Sequence, residues 1–274
     1  MKGGSFLYHI KNKKEGNIMK ESFELDYYDE IANWDFDEFE IESEDLTNWD
    51  LFEELKKVTN KKSRILDLGT GGGEKLLKYF PECAEIVGTD LSKEMIKTAQ
   101  KNLKKSQRKN IVFRVMDNLK MDVPDDYFDV VVARHTVTDP KQILKCLKKG
   151  GVFLIEGVDK YDCHSLKYLF GRGQGYFDSK PISIIDYENV LDAGFSDVEL
   201  IPIYEREYFK SRELFLKFLK KVPILDDFSE MEDNEISHSE EIEEELLDKY
   251  ISENTVNGKI FLPRVLYGII ARKK

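Results

Sequence analysis

Apolar residues in this chain fall into short runs separated by stretches of helix length. Ile65–Leu68, Ile86–Thr89, Ile111–Val115, Val130–Ala133, Val152–Ile155, Val198–Ile203 and Val265–Ala271 are each rich in Val, Ile and Leu or Phe. Short continuous apolar runs bounded by turn residues read as strands buried on both faces. The intervening stretches carry helix signals. Glu74–Phe80 begins one helix. Ser92 caps another that reaches about Lys105, with Met95, Ile96 and Leu103 apolar. Asp139-Pro140 opens a third, with Ile143, Leu144 and Leu147 inward and Lys148-Lys149-Gly150-Gly151 closing it. Cations in a last turn followed by glycine mark a helix C-terminus. Ile184–Leu191, ended by Ala193-Gly194, is a fourth. Strands alternating with helices predict an α/β fold: a seven-stranded, mostly parallel, doubly wound sheet with helices on both faces.

The flanks break this rhythm. Residues 1–20 are lysine-rich with few apolar positions and predict a poorly ordered tail. Residues 21–60 mix acids with aromatics, which predicts a helical lid segment, since disordered chain is usually aromatic-poor. Within it Leu51, Phe52, Leu55 and Val58 have helical spacing, and Asn48 or Asp50 can cap that helix. The α/β domain spans 61–274, with an acidic insertion at about 205–258 before the last strand. The insertion opens with an amphipathic helix at Ser211–Lys221 and continues into the acidic stretch Asp226–Asp248. A long insertion at that place reads as a substrate cover or an exposed acidic loop.

Charge and cysteine usage narrow the classes. The net charge is -11, but the acid sits mainly in the two flanks, and residues 61–228 are close to balanced. That weakens a nucleic-acid reading without removing it. The three cysteines and four histidines show no metal-ligand spacing, so no metal is expected. No apolar run approaches membrane-spanning length and no targeting signature opens the chain, so a cytoplasmic protein with no membrane partner is expected. Oligomeric state is not legible.

The chemistry lies in Arg64-Ile65-Leu66-Asp67-Leu68-Gly69-Thr70-Gly71-Gly72-Gly73-Glu74, a buried strand running into a glycine turn and a helix. The next strand run ends in an acid, Asp90. A glycine turn lets a ligand approach the backbone, and an acid after the second strand can hold a ribose diol. Glu74 at the helix start would repel a pyrophosphate, which argues against a nicotinamide dinucleotide.

These motifs resemble those of the class I S-adenosylmethionine-dependent methyltransferases. Asp67-Leu68-Gly69-Thr70-Gly71-Gly72-Gly73 is similar to the family's glycine motif, and Gly88-Thr89-Asp90-Leu91-Ser92-Lys93-Glu94-Met95 to its second-strand acid and helix start. Met116-Asp117-Asn118-Leu119, Asp125-Asp126-Tyr127-Phe128-Asp129-Val130-Val131 and Leu147-Lys148-Lys149-Gly150-Gly151 follow in the family's order, with Lys149 replacing its usual proline. The resemblance covers about 49–205 and the final strand.

The resemblance implies S-adenosyl-L-methionine as cofactor and methyl transfer as activity. It implies that Gly69, Thr70, Gly71 and Gly73 pass close to the cofactor and that Asp67 faces its ammonium. Asp90 then accepts both ribose hydroxyls, Leu91 and Met95 pack on the adenine, and Asp117 with Asn118 meets the adenine amino group. Arg134 and His135 follow the fourth strand run: an arginine that can hold a carboxylate and an imidazole that can serve as general base. A hydrogen-bonded structural role for His135 is the alternative. Tyr27 and Tyr28 suit a cover over a cationic sulfonium, and Arg172 in Gly171-Arg172-Gly173-Gln174-Gly175 suits an anion contact on the substrate side. A small-molecule acceptor is favoured. An RNA or protein acceptor, or a non-catalytic cofactor-binding subunit, is the alternative.

Overall fold

The structure, a computed structural model, describes residues 37–226 and 242–274. The strands are β1 (Glu42–Asp45), β2 (Arg64–Leu68), β3 (Glu85–Asp90), β4 (Ile111–Val115), β5 (Phe128–Arg134), β6 (Leu147–Val158), β7 (Ser196–Phe209), β8 (Thr255–Val256) and β9 (Lys259–Arg272). The helices are α1 (Leu51–Val58), α2 (Glu74–Tyr79), α3 (Lys93–Lys105), α4 (Pro140–Cys146), α5 (His164–Phe170), α6 (Ile182–Ala193), α7 (Arg212–Lys221) and α8 (Glu244–Glu253).

One sheet runs β1-β7-β9-β6-β5-β2-β3-β4, with β8 paired to β9. β4, β3, β2, β5 and β6 pair in parallel, while β9 is antiparallel to both β6 and β7. All seven expected strand runs lie in this sheet. Two short strands join them: β1, which pairs with the outer edge of β7, and β8.

Alternation along the strands separates two cores. Ile65, Val130, Val132 and Leu154 face α1, α2 and α3 with Leu51, Leu55 and Leu76. Leu66, Val131, Ala133, Phe153 and Ile155 face α4 and α6 with Ile143 and Val190. Asp50 caps α1, its side chain accepting the Glu53 N–H at 2.8 Å. Just ahead of that helix the Trp49 ring sits over the sheet at Gly268. A Cβ at Gly268 would come within 2.6 Å of its ring, so glycine makes room for the indole there.

β7 and β9 run on as a pair beyond the ends of the parallel strands. Gly268 is level with Glu156 of β6, yet the β7–β9 pairing continues to Phe209 and Ile260. On this extension the insertion builds a third apolar core, where Phe39, Phe209, Phe215, Phe218, Leu247 and Tyr250 meet. Arg172 belongs here. Its guanidinium donates to the Leu225 carbonyl at 2.8 Å and to Glu243 at 3.1 Å.

Three local readings change. Leu147, expected inward on the third helix, is the first residue of β6; it is buried, but by pairing with Phe128. α5 and α8 were not foreseen from the sequence. Within the expected lid segment the described residues hold a short 3-10 turn and the edge strand β1 as well as helix α1. The basic tail, Tyr27 and Tyr28 lie outside the described residues.

Candidate cofactor site

The carboxyl ends of β2, β3, β4 and β5 bring most of the expected residues together. At β2 the chain turns through Gly69, Gly71 and Gly73, all with positive φ (69°, 56° and 76°). A side chain at Gly69 would strike Thr136, its Cβ only 2.7 Å from that side chain, and one at Gly73 would strike Phe113 at the same distance. Both need glycine for backbone conformation and for space. Asn102 of α3 braces the turn, its amide donating to the Gly72 carbonyl at 2.9 Å and to Glu74 at 3.1 Å.

Asp90 ties the turn to β3. Its Oδ2 accepts the Gly71 N–H and its Oδ1 the Ser92 N–H, each at 2.9 Å. Leu91 is exposed beside it, whereas Met95 is fully buried, its N–H donating to the Ser92 hydroxyl at 3.1 Å. After β4, Asp117 accepts the Leu119 N–H at 2.8 Å and pairs with Lys120 at 3.1 Å. Asn118 is buried and donates to the Thr136 hydroxyl at 3.0 Å. Thr136 thus links the turns after β2, β4 and β5.

Asp67 is buried one residue before the end of β2, and burial pushes its carboxyl up to about 7. Arg134 and the Thr70 hydroxyl favour its charged form, Asp90 its neutral form, and none outweighs desolvation. That hydroxyl lies toward the carboxylate without meeting it at hydrogen-bonding geometry; it and the Asn118 carbonyl oxygen are buried without a partner among the described residues. Asp67, Thr70 and Arg134 line a small recess closed by Leu51 and Phe52 of α1.

Register places Asp67, Arg134, Glu156, Arg264, Glu205 and Glu207 on one face of the sheet, in a charged row along its carboxyl edge. Glu156 was not anticipated from sequence; the available signal was an acid directly after the Val152–Ile155 run, the same position that singled out Asp90. His135 lies beside this row, with 36% of its side chain meeting solvent. Burial lowers its pKa below the ordinary imidazole value; the charges of Arg134 and Arg264 add to this and Glu156 opposes it. Glu156 is held below the carboxylate range. Desolvation favours its neutral form but is outweighed by His135, Arg134 and Lys75 together. Among the described residues no His/Cys/Asp/Glu group could hold a metal, and no helix is long and apolar enough to cross a membrane.

A glycine turn after one parallel strand and an acid ending the next define a nucleoside-cofactor protein of the doubly wound class. Residues 59–173 match the family described as "Methyltransferase domain". An uncharacterized methyltransferase of Bacillus subtilis, YcgJ, is 31% identical over 105 residues, 36% of this chain and 41% of that protein. The malonyl-[acyl-carrier protein] O-methyltransferase of Halalkalibacterium halodurans is 29% identical over 192 residues, 63% of this chain and 70% of the relative. A crystal structure of a candidate methyltransferase from Bacillus halodurans C-125 superposes with TM-score 0.52 at 18% identity, covering 82% of this chain and 98% of that one. Residues 59–173 are thus similar to a methyltransferase domain, whose implied cofactor is S-adenosyl-L-methionine, and the chain spans 41% of the length of YcgJ.

The residues present fit that cofactor. Among the described residues, buried polar atoms of Thr70 in the turn and Asn118 beside it lack partners, and the turn itself leaves no room for side chains at Gly69 and Gly73.

Proposed function

We propose that this chain transfers the methyl group of S-adenosyl-L-methionine to a small-molecule acceptor. The observation that carries the acceptor class is the charged row beyond Arg134. There Glu156 and Glu205 stand on the sheet face that the β7–β9 extension and its apolar core continue, beside Glu207, which Arg264 holds. A carboxylate-lined edge repels a phosphate backbone, and an edge flanked by such an extension suits a small ligand better than a protein surface. The names of the relatives do not choose among acceptors, since they include malonyl-acyl carrier protein, ribosomal protein L11 and phosphatidylethanolamine methyltransferases.

On this reading Asp90 holds the ribose hydroxyls, Asp67 the methionine ammonium and Arg134 its carboxylate. Leu91 covers the adenine from the edge of the site, Met95 supports it from the core, and Asp117 with Asn118 takes the adenine edge. Bound there, the cofactor supplies a methyl group on a cationic sulfur. The chain's own work is to orient the acceptor, exclude water and, at His135, accept a proton. Arg172 is occupied within the insertion, so its part is to fix the 171–175 loop.

The test is transfer of labelled methyl to three separate pools: deproteinised extract, RNA and protein. Label in the deproteinised pool alone is the expected result. Label in RNA or protein would reassign the acceptor. No label anywhere, with S-adenosylhomocysteine bound, would make the chain a non-catalytic subunit.

Asp67 gives a pH prediction. With its carboxyl near 7 in the free protein, binding an ammonium requires loss of that proton. Affinity for S-adenosylhomocysteine is expected to fall below pH 7, by up to about tenfold per pH unit. The sign for stability is opposite to that of a salt-bridged acid. The folded pKa lies above the unfolded value, so Asp67 costs stability progressively as pH rises from about 4 to 7. Asp67→Asn should therefore raise the melting temperature at pH 8 while weakening binding. Calorimetry and thermal melts across pH 5.5–8.5 (about three units, spanning the transition) check both, and a pH-independent affinity would remove Asp67 from the ammonium site.

A further inference from the structure

His135 and Glu156 stand at the carboxyl ends of adjacent strands. Arg134 is the last residue of β5 in register with Glu156, and the His135 N–H still donates to the Glu156 carbonyl at 2.8 Å. His135 then leaves the strand with φ of +51°, a left-handed conformation that is costly for a residue bearing a Cβ. Its side chain turns back over Glu156, with Nε2 3.4 Å from Glu156 Oε1. The same oxygen lies 3.9 Å from Arg134. Both separations exceed a normal hydrogen bond, as is common in catalytic pairs before substrate arrives.

We propose that Glu156 is a positioning residue for His135, and that the pair takes a proton from an acceptor whose attacking atom is protonated at neutral pH, a hydroxyl or an amine. The inference rests on the methyl-transfer reading above and narrows its acceptor. With Nε2 turned to the carboxylate, Nδ1 is the nitrogen that receives the proton. The acceptor's freed electron pair forms the bond to the methyl carbon, and the pair of the broken carbon–sulfur bond stays on sulfur. Glu156 steadies the imidazolium that results, as the carboxylate does behind the histidine of hydrolytic triads.

Three charges face the imidazole: Glu156 on β6, Arg134 on its own strand and Arg264 on β9. Only Glu156 favours protonation. Without it His135 would face the two guanidinium groups alone, a poor proton acceptor. An acceptor that is already an anion would need none of this arrangement.

The test is an NMR titration of the His135 ring in the full chain, its resonance assigned by its absence in His135→Asn. Asparagine is chosen because it tolerates the left-handed backbone. Glu156→Gln is expected to increase the imidazolium acid dissociation constant about tenfold or more, the effect of removing an opposite charge at this range. Glu156→Asp, which keeps a carboxylate but draws it back, should move it less, and it carries the test if the glutamine variant does not fold. An unmoved titration in Glu156→Gln overturns the proposal and leaves Glu156 as a partner of Arg134. Calorimetry with S-adenosylhomocysteine separates the two failures: retained binding with an unmoved titration overturns this inference alone, and absent binding in the wild type overturns the methyl-transfer reading and this inference with it.

Discussion

Asp90→Ala is expected to weaken S-adenosylhomocysteine binding by about 100-fold, or about 3 kcal/mol. Hydrogen bonds to a charged group are each worth about 1.5–3 kcal/mol, and a ribose diol offers two hydroxyls. In the free protein the carboxylate is already engaged, one oxygen with the Gly71 N–H and the other with the Ser92 N–H. A carboxylate offers about four lone-pair sites, so the same group can fix the turn and receive the sugar. The alanine variant therefore loses the ribose contacts and also slackens the glycine turn. Asp90→Asn retains one carbonyl oxygen and should fall between wild type and alanine. Calorimetry measures the binding loss and urea unfolding the stability loss. Both losses are expected, since the two backbone contacts also go to a charged group and are worth about 1.5–3 kcal/mol each. A stability loss with S-adenosylhomocysteine affinity unchanged would make Asp90 a structural anchor of the turn and nothing more.

Asp90 also shows why this part of the site was readable from the sequence. Parallel strands buried on both faces appear as unbroken apolar runs, and whatever follows them lies at the carboxyl edge. The glycine turn, Asp90, Arg134 and His135 all follow such runs. Past the edge the rule fails. β7 continues from Ile203 through Tyr204-Glu205-Arg206-Glu207, where acids end the apolar run although pairing with β9 goes on. β1, with four exposed residues, owes its place to pairing with β7, more than 150 residues away in sequence (about that many, beyond any local pattern). α8 is hidden in an acidic stretch, and its buried Leu247 and Tyr250 belong to a core that exists only once the insertion has folded. Leu147 is buried either way, so its periodicity could not distinguish the end of a helix from the start of a strand.

Arg264→Met is expected to cost about 3–5 kcal/mol of folding stability, the range for removing one partner from a buried ion pair. Arg264 grips two carboxylates. Its Nε and a terminal nitrogen donate to Asp162 at 2.9 and 3.1 Å, and the other terminal nitrogen donates to both oxygens of Glu207 at 2.9 Å. Their side chains are nearly enclosed, 13% exposed for Arg264, 4% for Asp162 and 11% for Glu207. Asp162 also accepts the Val265 N–H at 2.8 Å, so the turn after β6 is pinned to β9 from both sides. Methionine fills similar volume but leaves two carboxylates without their cation. Arg264→Lys keeps the charge yet cannot offer two forks, and should lose part of the same stability. Adding Asp162→Asn and Glu207→Gln to Arg264→Met should recover part of the loss, because the cost lies in the stranded charges and not in the missing contacts. Urea unfolding of the three variants beside the wild type decides this. A loss below about 1 kcal/mol for Arg264→Met would mean that water reaches the carboxylates, as it does around surface pairs. Full recovery in the triple variant would show that the pairs are dispensable for stability, and would leave the charge of Arg264, which reaches His135, as the reason for an arginine at that place.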